Sequence, residues 1–179
     1  MVKPRLADWL GLKSPNPDDL ADLRALIALV DESSFKATRL CLLNPTFGAA
    51  SKLVGGADAD LLIDDCLVDI KTTKAPRLDP RDFFQLIGYY LLHGFDGIHC
   101  GRFRGAQSEI NYLGIYFSRY GYLWKVSSAE ILPPSIVHTT ARWFFDAVCA
   151  SKIQRIKMSK AFRGPLAKHL LSAPKARRR

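Results

Sequence analysis

Four charged residues between Gly55 and Thr73 fall into a pattern that can do chemistry: Asp58, Asp60, Asp69 and Lys71. Between them lie two short apolar runs, Leu61 to Ile63 and Cys66 to Val68, separated by the polar pair Asp64-Asp65. Apolar runs joined by a two-residue polar turn read as a β-hairpin. With Asp64-Asp65 as the loop, Asp60 lies opposite Asp69 and Leu62 opposite Leu67. Side chains alternate along a strand, so Asp58, Asp60, Asp69 and Lys71 share one face. Two carboxylates roughly 4 Å apart repel by about 4 kcal/mol at an effective dielectric of about 20. A hairpin built for stability alone would avoid that arrangement. A hard divalent cation between the oxygens removes the repulsion, and carboxylates are its preferred ligands. Asp60 and Asp69 are therefore candidate metal ligands, and the backbone carbonyl of Ile70 could add a third oxygen. Asp58 has the same strand parity as Asp60 and competes for the first position. Asp64 and Asp65 read as turn formers.

Such a group suits hydrolysis of a phosphodiester. The reaction needs a nucleophile at neutral pH and positive charge where the transition state becomes more negative. Mg²⁺ or Mn²⁺ can provide both. Lys71, two residues after Asp69 on the same face, could orient the attacking water, stabilise hydroxide or contact the phosphate. The plainer alternative is an exposed hairpin carrying an Asp–Lys pair of little energetic weight.

Asp60, followed by Asp69-Ile70-Lys71, resembles the D…(D/E)xK signature of the PD-(D/E)XK nucleases, with Ala59 where the eponymous proline would stand. Downstream, Gln85-Leu86-Ile87-Gly88-Tyr89 resembles the QxxxY motif of the RecB-like branch, and the likeness covers about residues 44–92. It implies a restriction-endonuclease-like core: an α/β fold with a central mixed β-sheet flanked by helices. It also implies a Mg²⁺- or Mn²⁺-dependent deoxyribonuclease, exo- or endonucleolytic, with Asp60, Asp69, Lys71, Gln85 and Tyr89 at the catalytic site. RecB-like nucleases often carry an acidic or histidine residue on an upstream helix, and Asp31 or Glu32, at the end of the first long helix, could add that carboxylate here. Without the resemblance, Gln85 reads as an ordinary helix-surface residue and Tyr89 as an amphipathic core aromatic.

The elements that must position these residues follow from caps and periodicity. Asn16-Pro17-Asp18-Asp19 starts a helix, and Leu20, Leu23, Ile27 and Val30 give it an apolar stripe over residues 17–32. A second short helix is expected over Phe35 to Leu43. Asp79-Pro80 opens a helix to about His93, with Gln85 and Tyr89 on one face. Ile110 to Phe117 and Tyr122 to Val126 read as strands, and Ser135 as the cap of a helix from Ile136 through Lys152. That order is mixed α/β.

The 179 residues are 48% apolar, enough for one well-buried domain, expected over residues 1–150. The net charge of +9 is unevenly placed. Residues 151–179 carry ten Lys or Arg and no acid, whereas the preceding 150 carry sixteen basic and seventeen acidic residues. The C-terminal stretch therefore reads as a basic helix end and flexible tail. Lys152, Arg155, Lys157 and Lys160 in it, with Lys74, Arg77 and Arg81 near the hairpin, are candidate contacts to nucleic-acid phosphates, DNA being the expected partner. The four cysteines form no CxxC pair, so no iron–sulfur cluster is expected. No apolar run reaches bilayer length and no signal-peptide segment opens the chain, so a cytoplasmic protein without a membrane partner is expected. Two other readings stay open: a nucleic-acid-binding module that does not cut, and a nuclease subunit of a homo-oligomer or a larger repair or defence complex.

Overall fold

A computed structural model describes residues 16–105, 109–149 and 160–172. At its centre is the hairpin, in which β2 (Leu61–Ile63) and β3 (Cys66–Lys71) pair antiparallel with Leu62 opposite Leu67. Asp64 makes the turn at a φ of 52°. Its carboxylate accepts the amides of Thr38, Arg39 and Leu40 and the Thr38 hydroxyl at 2.7 to 3.0 Å. Those backbone bonds, Thr38's first, hold its acid far below the ordinary aspartate range.

The same bonds overturn the helix expected over Phe35 to Leu43. Amides that a helix would bond locally are taken by the turn, so one 3₁₀ turn (Glu32–Phe35) is followed by a strand, β1 (Cys41–Leu43), antiparallel to β2. On the far side of β3, β6 (Tyr112–Phe117) runs parallel to it, and β7 (Tyr122–Ser127) closes the sheet antiparallel to β6. The result is a mixed five-stranded sheet in the order β1-β2-β3-β6-β7.

The crossover from β3 to β6 carries α2 (Pro80–Asp96) and a small separate hairpin of β4 (Ile98–Cys100) and β5 (Phe103–Gly105). Asp79 caps α2 by accepting the Arg81 amide at 2.8 Å, with Pro80 in the first turn. The helix runs three residues past the end expected at His93 and stops at Gly97, whose φ of 77° suits glycine. Its Leu86, Leu91, Leu92 and Phe95 bury against Leu62, Leu67, Leu113 and Ile115 of the sheet.

After the short α3 (Ser128–Ile131), α4 (Pro134–Val148) adds Val137, Ala141 and Phe145 to that core. Its N-cap is Pro133 rather than Ser135. Residues 160–172, including α5 (Pro165–Ser172), also belong to the core: Phe162 stacks on Phe95 at 5.5 Å, and Leu166 is buried. A boundary at residue 150 does not separate them from the body. Lys160 is exposed, while Lys152, Arg155 and Lys157 lie outside the described residues.

The other face of the sheet is thinly covered. Leu61, Ile63, Val68 and Tyr116 form a small second cluster, with Phe35 edge-on to Tyr116 at 4.7 Å. The expected N-terminal helix exists as α1 (Pro17–Ala28), capped by Asn16, but it ends before residue 32 and buries none of its residues. The Asp22–Arg119 ion pair, at 2.9 Å, ties it to the turn after β6. Among the described residues, no helix is long and apolar enough to cross a membrane.

Candidate active site

The site forms where the β2–β3 ladder runs out and α2 begins to cover the sheet. One step beyond the last ladder pair, Leu61 and Val68, Asp60 faces Asp69, as the two-residue turn requires. Asp60 is half-buried, and its Oδ2 accepts the Ile70 amide at 2.6 Å. That donor satisfies an oxygen that would otherwise face Asp69 unrelieved. In an extended residue the N–H and C=O point to the same edge, so the Ile70 carbonyl points toward Asp60 as well.

Asp69 is buried, with 4% of its surface exposed. Lys71 Nζ forms an ion pair with Asp69 Oδ2 at 2.8 Å, and among the described residues that buried oxygen has no other donor. Burial raises the Asp69 pKa, Lys71 opposes the rise, and the charges of Asp60 and Asp82 add to it. Burial also works against the Lys71 ammonium, but Asp69 and then Asp82 outweigh it, so its pKa lies above the usual lysine value.

α2 supplies the rest. Lys71 Nζ donates to Gln85 Oε1 at 3.0 Å and pairs with Asp82 Oδ1 at 3.3 Å. Gln85 Nε2 donates in turn to the Tyr89 hydroxyl. The Tyr89 ring stacks on Phe47 at 5.3 Å, and burial, the largest influence, raises its pKa. Asp82, Gln85 and Tyr89 thus form one stripe along the helix, a turn apart at each step.

No family model matches the chain, and no curated protein or solved structure matches it.

Most of the residues singled out by sequence converge here: Asp60, Asp69, Ile70, Lys71, Gln85 and Tyr89. Asp58 lies at the margin, exposed and bridged through its backbone to Thr46, and its charge acts on Tyr89. Glu32 is elsewhere. Its 3₁₀ turn sends Phe35 onto Tyr116, on the sheet face opposite Asp69, so Glu32 does not join the carboxylates. Lys74, Arg77 and Arg81 are exposed on the link between β3 and α2. The Tyr120 hydroxyl donates to the Lys74 carbonyl and fixes that link to the turn after β6.

Sequence reasoning missed Asp82, which reads as one more acid in a helix first turn. Its spacing of three before Gln85 was the available signal.

Among the described residues, no three His, Cys, Asp or Glu side chains converge as a ready-made metal cage. Two facing carboxylates and a carbonyl would leave the remaining positions of a Mg²⁺ octahedron to water and substrate, which is how that ion is usually held. The buried oxygen of Asp69, which meets only the Lys71 ammonium among the described residues, fits a cation as a further neighbour.

Proposed function

We propose that this protein is a divalent-metal-dependent nuclease of the RecB-like PD-(D/E)XK type, acting on DNA through a restriction-endonuclease-like core. The observation that carries the reading is the facing pair Asp60 and Asp69, with a buried Asp69 oxygen whose one partner among the described residues is the Lys71 ammonium. The mixed sheet flanked by helices and the Lys71–Gln85–Tyr89 chain support it.

In this reading Asp60, Asp69 and the Ile70 carbonyl hold Mg²⁺ or Mn²⁺. When bound, the ion supplies a Lewis acid for the phosphate and lowers the pKa of a water. Lys71 directs its ammonium at the scissile phosphate or the attacking water. Gln85 fixes that ammonium by accepting one of its protons, and Tyr89, braced on Phe47, fixes the Gln85 amide. Burial of Asp69 keeps water from screening the site, which strengthens each of these charges.

A nucleic-acid-binding module that does not cut is the second reading. One observation favours it: the Lys71 ammonium is already engaged by Asp69, Asp82 and Gln85. The test is purified protein on linear, circular, single- and double-stranded DNA and on RNA, with Mg²⁺, Mn²⁺ or EDTA. Cleavage that needs the ion and is lost in Asp69→Asn is the expected outcome. Binding without cleavage under every condition selects the second reading.

A further inference from the structure

α2 presents a second stripe to solvent, beside the one that enters the site. Arg81, Phe84 and Gly88 follow one another a turn apart. Phe84 is 67% exposed, although the helix has a core face of its own in Leu86, Leu91, Leu92 and Phe95. The ring is braced from behind: Phe83 contacts it at 6.2 Å and in turn packs edge-on to Trp124 at 6.4 Å. Gly88 leaves the next turn bare, with nothing within 4 Å of where a Cβ would stand. A flat body can therefore approach the helix backbone beside the ring.

On the link that leads into this helix the exposed charges are positive, while the two acids at the helix start are engaged, Asp79 by the Arg81 amide and Asp82 by Lys71. Lys74, Arg77 and Arg81 are exposed, and among the described residues none is paired with a carboxylate. Their link is held in place by the Tyr120 hydroxyl on the Lys74 carbonyl and the Thr73 hydroxyl on the Ala75 carbonyl. An exposed aromatic ring on a helix entered by a basic, anchored link matches a nucleic-acid strand whose bases are unpaired: phosphates meet the cations and a base face meets the ring. A duplex hides its base faces in the stack and could use only the cations.

We propose that Phe84, with Arg81, Arg77 and Lys74, forms a stacking platform for single-stranded nucleic acid. It would deliver an unpaired strand to the neighbouring Asp60/Asp69/Lys71 site. The delivery rests on the nuclease reading; the platform itself does not.

The test is binding by the full chain in EDTA, read by fluorescence anisotropy, to a single-stranded oligothymidylate, the matching oligouridylate and a mixed-sequence duplex. Phe84→Ala should weaken single-strand binding about 5- to 150-fold, leave duplex binding within about twofold, and melt like the wild type. Phe84→Trp should keep single-strand affinity and show indole quenching on the single strand beyond that of the wild type. Unchanged single-strand affinity in Phe84→Ala, or equal loss for single strand and duplex, overturns the proposal. Cleavage is assayed separately. Phe84-dependent binding without cleavage keeps the platform and removes the nuclease, and cleavage with Phe84→Ala binding unchanged does the reverse.

Discussion

Strand β3 divides six residues between two faces that are treated in opposite ways. Toward α2 it sends Leu67, Asp69 and Lys71, and the first two are buried. Away from α2 it sends Cys66, Val68 and Ile70, and this face ends at Ile70, which is largely exposed. The covering helices differ in the same sense. α2 carries four large apolar side chains into the core, while α1 carries none and is fastened by an ion pair. The Asp69–Lys71–Gln85 cluster thus sits on the tightly covered face, where partial burial strengthens charges and packing fixes rotamers. Among the described residues, the thinly covered face has the apolar cluster of Leu61, Ile63, Val68 and Tyr116 and no such assembly.

The sharpest way to break this contrast is to substitute neighbours on the one strand. Lys71→Met or Asp69→Asn should reduce metal-dependent cleavage by at least about 10³-fold, as removal of a preorganised transition-state group does. Val68→Ala, next to Asp69 in sequence but facing away, should leave the cleavage rate near wild type. Single-turnover assays at saturating Mg²⁺ decide the point, and equal losses at Val68 and Asp69 would dissolve the distinction between the faces.

Stability should divide the same way. Leu86→Ala, on the covered face, is expected to lose about 2–5 kcal/mol. Ile27→Ala on α1, where the side chain is 70% exposed, should stay within about 0.5 kcal/mol. Urea unfolding of both variants measures the difference. A large loss at Ile27 would mean that α1 is covered in solution.

Metal linkage comes next in size. Mn²⁺ at about 100 times its dissociation constant should stabilise the native state by about 2.7 kcal/mol, and Asp60→Ala/Asp69→Ala should lose most of that response. A melting temperature indifferent to Mn²⁺ in the wild type would count against the pair as a preformed site.

The smallest effect concerns Asp69 without metal. Its pKa is raised in the folded state, so the native state holds the proton more tightly than the unfolded chain. Stability from this group is therefore greatest in acid and falls as pH rises from the ordinary aspartate range through the raised value. Asp69→Asn removes that fall. In EDTA the variant should melt above the wild type at neutral pH, and the gap should close in acid. A variant that melts below the wild type at neutral pH would show that Lys71 more than offsets the burial of the carboxylate.

What could be read from the residues alone was mostly local. The hairpin was legible because two apolar runs flank a two-residue turn, and the turn length fixes which aspartates face each other. The start of α2 was legible in Asp79-Pro80, and its end was underestimated because the stop signal was Gly97 rather than His93. The missed features depend on partners distant in sequence. Nothing near Thr38 to Leu40 shows that their amides will be bonded by a carboxylate some two dozen residues later. The stripe of Leu20, Leu23 and Ile27 marks α1 as a helix but cannot say whether any surface receives it. Asp82 escaped because its partner, Lys71, lies on a strand whose contact with α2 is purely tertiary.

The Asp64 carboxylate also sets an order in time. The hairpin closes over two residues, a fast and local event, whereas the amides of Thr38 to Leu40 must be gathered across a span of 24 to 26 residues. The gathering oxygens are properly aimed only once the turn exists. Loop-closure entropy thus favours an order in which a finished hairpin recruits the edge strand, an expectation that φ-values at Asp64 and Leu42 would check. On that order Asp60 and Asp69 would face each other before the sheet that frames them is complete.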